Sequence, residues 1–316
     1  MSHNNRKPKM LPFTLKDFLK QFPDDATCLE WLRNYLYPDG IYCNACEAVT
    51  KHHRVKSRPS YSCDHCGHHV HPTAGTIFHK SPTPLTTWFY AIYLMASTRC
   101  GISAKQIQRE TGVTYKTAWR MFKQIRTMLD DEKAPPLGGS GKGVEVDETY
   151  YGGRQRGQYG RASVLDKKAK TPVVGLVERK GRVRAFVAQD VKADTLIGLV
   201  REHVMPQNVV FTDDFAAYDG LGVRGYHHRR IRHSEKIYVS GDTHTQTIEG
   251  FWSLIKRGIG GVYHNVGRHY LQSYLNEYSF RYNRSFDEQP MFLSFLQQVE
   301  KRDVVVRRLP APIEPF

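Results

Sequence analysis

The chain has 316 residues, with 46 Lys plus Arg against 31 Asp plus Glu, a formal charge of +15 and a hydrophobic fraction of 40%. That length buries a real core and leaves room for two or three domains, and the charge excess points to a polyanion such as DNA or RNA, although a merely basic soluble protein shares it. The most apolar run, Trp88 to Ala96, is about half the roughly 20 residues of a membrane span and carries Tyr90 and Tyr93, which excludes a membrane helix.

The start, Ser2 to Lys9, is polar and basic with no apolar segment behind it, so no secretory signal is expected and the chain is placed in a reducing cytoplasm. Residues 11 to 36 show helical spacing, with Phe18, Leu19, Phe22, Leu29, Trp31, Leu32 and Leu36 expected inside two short helices broken at Pro23. Residues 41 to 80 are rich in Cys and His. Cys43-Asn-Ala-Cys46 and Cys63-Asp-His-Cys66 form two knuckles at zinc-ribbon spacing, so four thiolates are expected to hold one structural Zn²⁺. His65, His68, His69 and His71 could compete as ligands, but beside a complete cysteine set they read as surface or phosphate-contacting residues. Cys28 and Cys100 fit no metal spacing and read as small buried hydrophobes.

After the Pro-containing break Ser81 to Pro84, the pattern is helical from Leu85 to Leu129. Ser103 opens one helix, Thr111-Gly112-Val113 is a turn, and Thr114 opens another, which is helix-turn-helix spacing. Ile107, Val113, Ala118, Trp119 and Phe122 are its expected core. Tyr115, Lys116, Thr117 and Arg120 are left on the exposed face of a recognition helix, as candidates for DNA contact. Unrelated helical hairpins share this spacing; the neighbouring ribbon and the net charge favour DNA.

Asp130 to Gly143, with Pro135, Pro136 and four glycines, suits a linker, and a domain boundary is placed at 131–143. Strands follow at Val144 to Tyr151, Thr171 to Glu178 and Val183 to Ala188, then a helix at Ala193 to Val204 and a strand at Asn208 to Thr212. Tyr226 to Lys236 reads as a basic loop whose Arg229, Arg230 and Arg232 would hold phosphates without reading sequence. A long helical region runs from His244 to Tyr282, interrupted near Gly258 to Gly261. Strands first, then alternating helix and strand, predict an α/β sheet covered by helices.

Strand alternation puts Val144 and Val146 on one face and Glu145 and Asp147 on the other, an acidic placement that is costly inside an apolar strand. Asp213 and Asp214 follow the apolar strand 208–212, where α/β sites form; Asp214 reads better as a local cap. Glu249 and Lys256 lie two helical turns apart and so share a face. A helical Glu facing a Lys is usually a surface pair, but an acid on a strand, one at a strand end and one on a helix can chelate two divalent ions for phosphoryl displacement. Lys256 would then meet a DNA phosphate.

A specific resemblance rests on an ordered set: the cysteine knuckles, Gly75-Thr76-Ile77-Phe78, Pro84-Leu85 with Trp88, and Val146-Asp147-Glu148-Thr149-Tyr150-Tyr151-Gly152-Gly153. Thr212-Asp213, His244-Thr245, Ile248-Glu249-Gly250-Phe251-Trp252, Lys256-Arg257 and Arg281-Tyr282-Asn283 complete it. Over roughly residues 25 to 285 the chain resembles bacterial insertion-sequence transposases of the DDE class with an N-terminal zinc ribbon. The resemblance implies an RNase H-like mixed sheet with flanking helices, preceded by the zinc ribbon and the helix-turn-helix. It also implies a Mg²⁺- or Mn²⁺-dependent nuclease and strand transferase that acts on element ends and target DNA as a homo-oligomer in a synaptic complex.

Carried across, Asp147, Asp213 and Glu249 become the ligands of two catalytic ions, with Lys256 as a basic accessory. The expected organisation is a helical segment at 1–40, the ribbon at 41–80, the helix-turn-helix at 85–130, the linker at 131–143, the catalytic domain at 144–285 and a tail at 286–316. Similar transposases often have Asn where Gln246 stands, which leaves Gln246 or Glu249 as the third position. Glu249 is preferred because an anionic oxygen binds Mg²⁺ better than an amide. A DNA-binding regulator, or an RNase H-like nuclease without strand transfer, are the alternatives.

Overall fold

The computed structural model describes residues 12–131, 134–139, 142–152, 170–231 and 246–299, with Gln246 described in its backbone only. Arg232, Gly153, His244, Thr245 and the side chain of Gln246 therefore lie outside the described residues. Two compact units are present, one formed by 95–291 and the other by 12–94 with the stretch from 292 onward. No helix among the described residues is long and apolar enough to cross a membrane.

The unit formed by 12–94 begins with helices α1 (Leu15–Gln21) and α2 (Asp25–Leu36), separated at Pro23 as the spacing predicts. Thr14 and Asp24 cap them by accepting from the backbone N–H groups of Asp17 and Thr27. Phe18, Phe22, Leu29 and Leu32 are buried, whereas Leu19 is 57% exposed, contrary to expectation. A seven-residue helix turns one narrow stripe inward, and Phe18 and Phe22 already fill it. These rings join Trp31, Phe89, Tyr93 and Phe292 in an aromatic cluster with centroid spacings of 5.1–6.4 Å. Five short strands follow: β1 (Ile41–Cys43) pairs with β2 (Ala48–Thr50), and β3 (His52–Val55), β4 (Ser60–Cys63) and β5 (His69–Val70) form an antiparallel sheet. Helix α3 (Leu85–Ser97) is capped by Asp25, which accepts from the Thr86 N–H and hydroxyl at 2.9 and 2.8 Å.

In the unit formed by 95–291, α4 (Ala104–Thr111) and α5 (Tyr115–Thr127) make the helix-turn-helix. Ser103 and Thr114 cap them, and Gly112 turns the chain between them at φ 70°, a conformation that glycine adopts without strain. Ile107, Ala118 and Phe122 are buried as expected, joined by Met121 and Ile125; Val113 and Trp119 are only half-buried. Trp119 turns its edge to Tyr270 instead, at 5.4 Å.

The same unit holds a five-stranded sheet: β6 (Val144–Tyr151), β7 (Thr171–Glu178), β8 (Val183–Val187), β9 (Val209–Thr212) and β10 (His227–Arg230), in the order β10-β9-β6-β7-β8. β6, β7 and β8 form an antiparallel meander, while β9 and β10 run parallel to β6. This order and direction make the RNase H-like mixed sheet. The sequence pattern had His227–Arg230 as loop; four consecutive basic residues have no apolar periodicity, and their strand exists through backbone pairing with β9. One face of the sheet, with Val144, Val146, Val174 and Leu176, packs under α6 (Ala193–His203). The other, with Val173, Val177 and Val183, lies under α7 (Gln246–Gly258) and α8 (Arg268–Arg284), which a π-turn at Ile259–Tyr263 separates. Helix α9 (Met291–Leu296) follows.

Because the helix-turn-helix and the sheet belong to one unit, the 131–143 segment joins parts of a single compact body. Glu277 of α8, fully buried, accepts from Arg126 of α5 at 2.6 Å and from Arg281 at 2.7 Å. The Arg126 guanidinium lies between the rings of Phe122 and Tyr274, 3.5 and 3.6 Å from their centroids. Arg281 also donates to the carbonyls of Met95, Ala96 and Thr98, and Asn283 pairs with both backbone groups of Val183 on the edge strand. The Arg281-Tyr282-Asn283 run is therefore structural.

Candidate active site

Strand β6 is apolar on one face and acidic on the other. Val144 and Val146 point under α6, so Glu145 and Asp147 must point toward α7. Asp147 faces Gly175 across the β6–β7 pair, and the missing side chain there leaves room for the Trp252 indole, whose ring carbon would sit 2.6 Å from an added Cβ. Trp252 fills that space and donates its Nε1–H to Oδ2 of Asp147 at 2.9 Å.

Asp147, Glu148, Thr149, Glu249, Trp252, Ser253, Lys256 and Arg257 line one open cleft. Glu249, in the first turn of α7, and Lys256, two turns on, are both exposed on it. Asp213 does not line this cleft but follows β9, the strand beside β6, and its charge acts on both Asp147 and Glu148. Its Oδ1 accepts from the Phe215 N–H at 3.1 Å.

Burial and neighbouring charge hold two of these carboxyls above the ordinary carboxylate range. Burial pushes Asp147 up to about 6; the Trp252 hydrogen bond opposes this, and the charges of Asp213 and Glu249 add to it. Burial takes Glu148 up to about 7, against the Tyr218 hydroxyl that donates to it at 2.8 Å, with Asp213 and Asp147 adding to the rise. Clustered acids that resist losing their protons are the donor set a divalent cation satisfies, since its charge reverses the repulsion. Among the described residues, the cysteines are the one group of potential ligands with three or more atoms all within 4.8 Å of one another. Asp147, Asp213 and Glu249 do not form such a group.

The cysteines fit a single ion. Their Sγ atoms lie 3.5 Å apart between Cys43 and Cys66 and 3.9 Å between Cys46 and Cys63, against the about 3.8 Å edge of a tetrahedron with about 2.3 Å metal–sulfur bonds. The Thr50 hydroxyl, 3.1 Å from the Cys63 sulfur, is the largest of the influences that lower that thiol to about 5, whereas the bond to Cys66 leads those that raise Cys46 to about 12. Cys28 is buried as expected, but Cys100 is exposed.

On α5, Tyr115, Lys116 and Arg120 are exposed and Thr117 is half-buried, its hydroxyl 3.0 Å from that of Thr114. Lys105 lies 4.8 Å from the Tyr115 ring centroid. Arg229 is exposed on β10, but Arg230 is paired with Asp219.

Tyr218 and Arg179 shape the site without having been singled out in the sequence, and Glu148 and Trp252, which stand in its motifs, had been given no role there. The Arg179 Nε donates to the buried Glu145 at 3.0 Å. Glu145 itself gave a signal in advance, as an acid facing inward from an apolar strand.

Comparison with known proteins follows this geometry. Residues 136–283 match the model of the ISXO2-like transposase domain, and residues 23–69 match that of the transposase zinc-ribbon domain. A protein of the transposable element ISH50 of Halobacterium salinarum is 28% identical over 278 residues, which is 83% of this chain and 92% of its own. A transposase-like protein of Haemophilus influenzae is 32% identical over 126 residues, 40% of this chain and 99% of its own. Among solved structures, a chain of a pre-cleavage Mos1 transpososome has 12% identity and a TM-score of 0.27, over 68% of this chain and 80% of that one.

Proposed function

The chain belongs to the family of ISXO2-like transposases, and on that premise we propose that it binds the terminal inverted repeats of an insertion sequence, cleaves the element ends and joins them to target DNA. One observation carries the reading: Asp147, Glu249 and Lys256 line a single open cleft, and the charge of Asp213 bears on Asp147. Asp147, Asp213 and Glu249 hold two Mg²⁺ or Mn²⁺ ions. Bound there, the ions stabilise the attacking and leaving oxygens of an in-line phosphoryl displacement. Trp252 aims one oxygen of Asp147, and Lys256 takes a phosphate of the strand being cut.

Cys43, Cys46, Cys63 and Cys66 hold one structural Zn²⁺. The segments 41–80 and 85–130 grip DNA, with Tyr115, Lys116, Thr117 and Arg120 toward the bases and Arg229 toward the backbone. The segment 144–285 carries the chemistry, and a homo-oligomer brings two ends together. The test is a labelled end duplex with a plasmid target and Mg²⁺. Cleavage with integration is expected, and Asp147→Asn, Asp213→Asn and Glu249→Gln should each cut cleavage by at least about a hundredfold while DNA binding survives. Cleavage without joining would make the chain a nuclease, and binding alone a regulator. A normal Glu249→Gln beside a dead Gln246→Ala would move the third ligand to Gln246.

A further inference from the structure

Helix α7 carries Glu249 in its first turn, and the first backbone N–H groups of a helix have no partner within it. Here two of them are taken by an acid from a strand far away in sequence. Glu145, 0% exposed, accepts from the N–H of Thr247 at 3.0 Å and of Ile248 at 3.1 Å through Oε2. Its Oε1 accepts from the Thr247 hydroxyl at 3.1 Å and from the Arg179 Nε at 3.0 Å. The Arg179 guanidinium is seated on Phe211 of β9, 3.6 Å from the ring centroid. With both oxygens engaged in this way, Glu145 is no ligand for the cleft, although it lies on the same face of β6 as Asp147.

A second contact fastens the same two elements: the Trp252 N–H to Asp147 at 2.9 Å. From Glu145 to Asp147 the strand advances about 6.7 Å. From Ile248 to Trp252 the helix advances about 6 Å. The two attachments therefore match in length, and α7 is clamped along β6 at two points, with Glu249 next to one and Asp147 at the other. We propose that Glu145, locked by Arg179, is a positioning residue that sets the register of α7 against β6 and thereby the placement of Glu249 relative to Asp147. The claim rests on the metal-binding reading of those two acids for its consequence, but not for the register itself.

The experiment uses the full chain and two readouts. The first is metal-free: the Trp252 indole N–H resonance in ¹⁵N-labelled protein, identified by its loss in Trp252→Phe. The second is the affinity for Mn²⁺, measured from the free ion by electron paramagnetic resonance. Glu145→Gln keeps the volume but places an amide NH₂ against N–H donors. It should shift the indole resonance and weaken Mn²⁺ binding about tenfold or more, the scale found when a group that orients a metal ligand is removed. A purely local cap would leave the indole, one turn beyond Ile248, where it was. An unmoved indole in folded Glu145→Gln overturns the proposal, and so does a moved indole with wild-type Mn²⁺ affinity. If Glu145→Gln does not fold, Thr247→Val decides, because it removes one bond without stranding a charge; a smaller shift in the same direction supports the proposal and none overturns it. A moved indole in a protein whose wild type takes up no Mn²⁺ upholds the register claim and sinks the metal reading alone.

Discussion

The buried Arg126–Glu277–Arg281 group makes a sharp prediction about how the helix-turn-helix is held to the catalytic body. Glu277→Gln would leave the guanidiniums of Arg126 and Arg281, whose side chains are 1% and 8% exposed, without their shared counter-charge. Breaking a buried pair from one side costs about 3–5 kcal/mol, and a carboxylate serving two cations belongs toward the upper end. That is a large part of the roughly 5–15 kcal/mol holding a folded domain. With a urea dependence of about 1–3 kcal/mol per molar, the unfolding midpoint should fall by more than about 1 M. The fluorescence of Trp119, edge-on to Tyr270, reports the α5–α8 contact during that transition.

Arg126→Met with Glu277→Leu should recover part of the loss, since Arg281 keeps the Thr98 carbonyl at 3.0 Å and the stranded charge on α5 is gone. The pH dependence has a definite sign. Burial raises the Glu277 carboxyl, but the charges of Arg126 and Arg281 outweigh it and hold it below its ordinary 4.5. Its contribution is therefore complete above that value and is lost in acid as pH falls through the lower folded value. A Glu277→Gln protein destabilised by less than about 1 kcal/mol, or a double variant worse than the sum of its parts, would refute the reasoning.

Other expectations concern the metals and the indole. Metal analysis should find one Zn²⁺ per chain, lost in Cys43→Ser with Cys63→Ser; stoichiometric zinc in that variant would reject the four-cysteine site. Asp147, raised to about 6 chiefly by burial, must shed its proton to hold a cation, so Mn²⁺ affinity should climb between about pH 5 and 7. Flat calorimetric affinity over that window would contradict the shift. Gly175→Ala would place a Cβ 2.6 Å from the Trp252 ring, so unfolding should show a loss of about 1–3 kcal/mol and the indole resonance should move. An unchanged indole would mean Trp252 is not held by that wall.

Much of this molecule is local and was therefore legible. The break at Pro23, the caps at Ser103 and Thr114, the turn at Gly112 and the strands 144–151 and 171–178 follow from propensities and periods within a few residues. The two cysteine knuckles declare a tetrahedral site by spacing alone, and the alternation in 144–147 already put Glu145 and Asp147 on one face. What that shared face meant was decided by packing. Nothing near Glu145 in the chain says that it will end on the N–H groups of Thr247 and Ile248, or that Arg179 will close over it. The strand His227–Arg230 likewise has no apolar pattern and exists because β9 offers it unpaired backbone groups. Nothing in its own helix marks Arg126, which is buried because Glu277 arrives from 151 residues away to meet it. Caps, turns and periods are set by neighbours in sequence, while a buried charge is permitted only by the partner that folding brings to it, and that partner is written nowhere in its own segment.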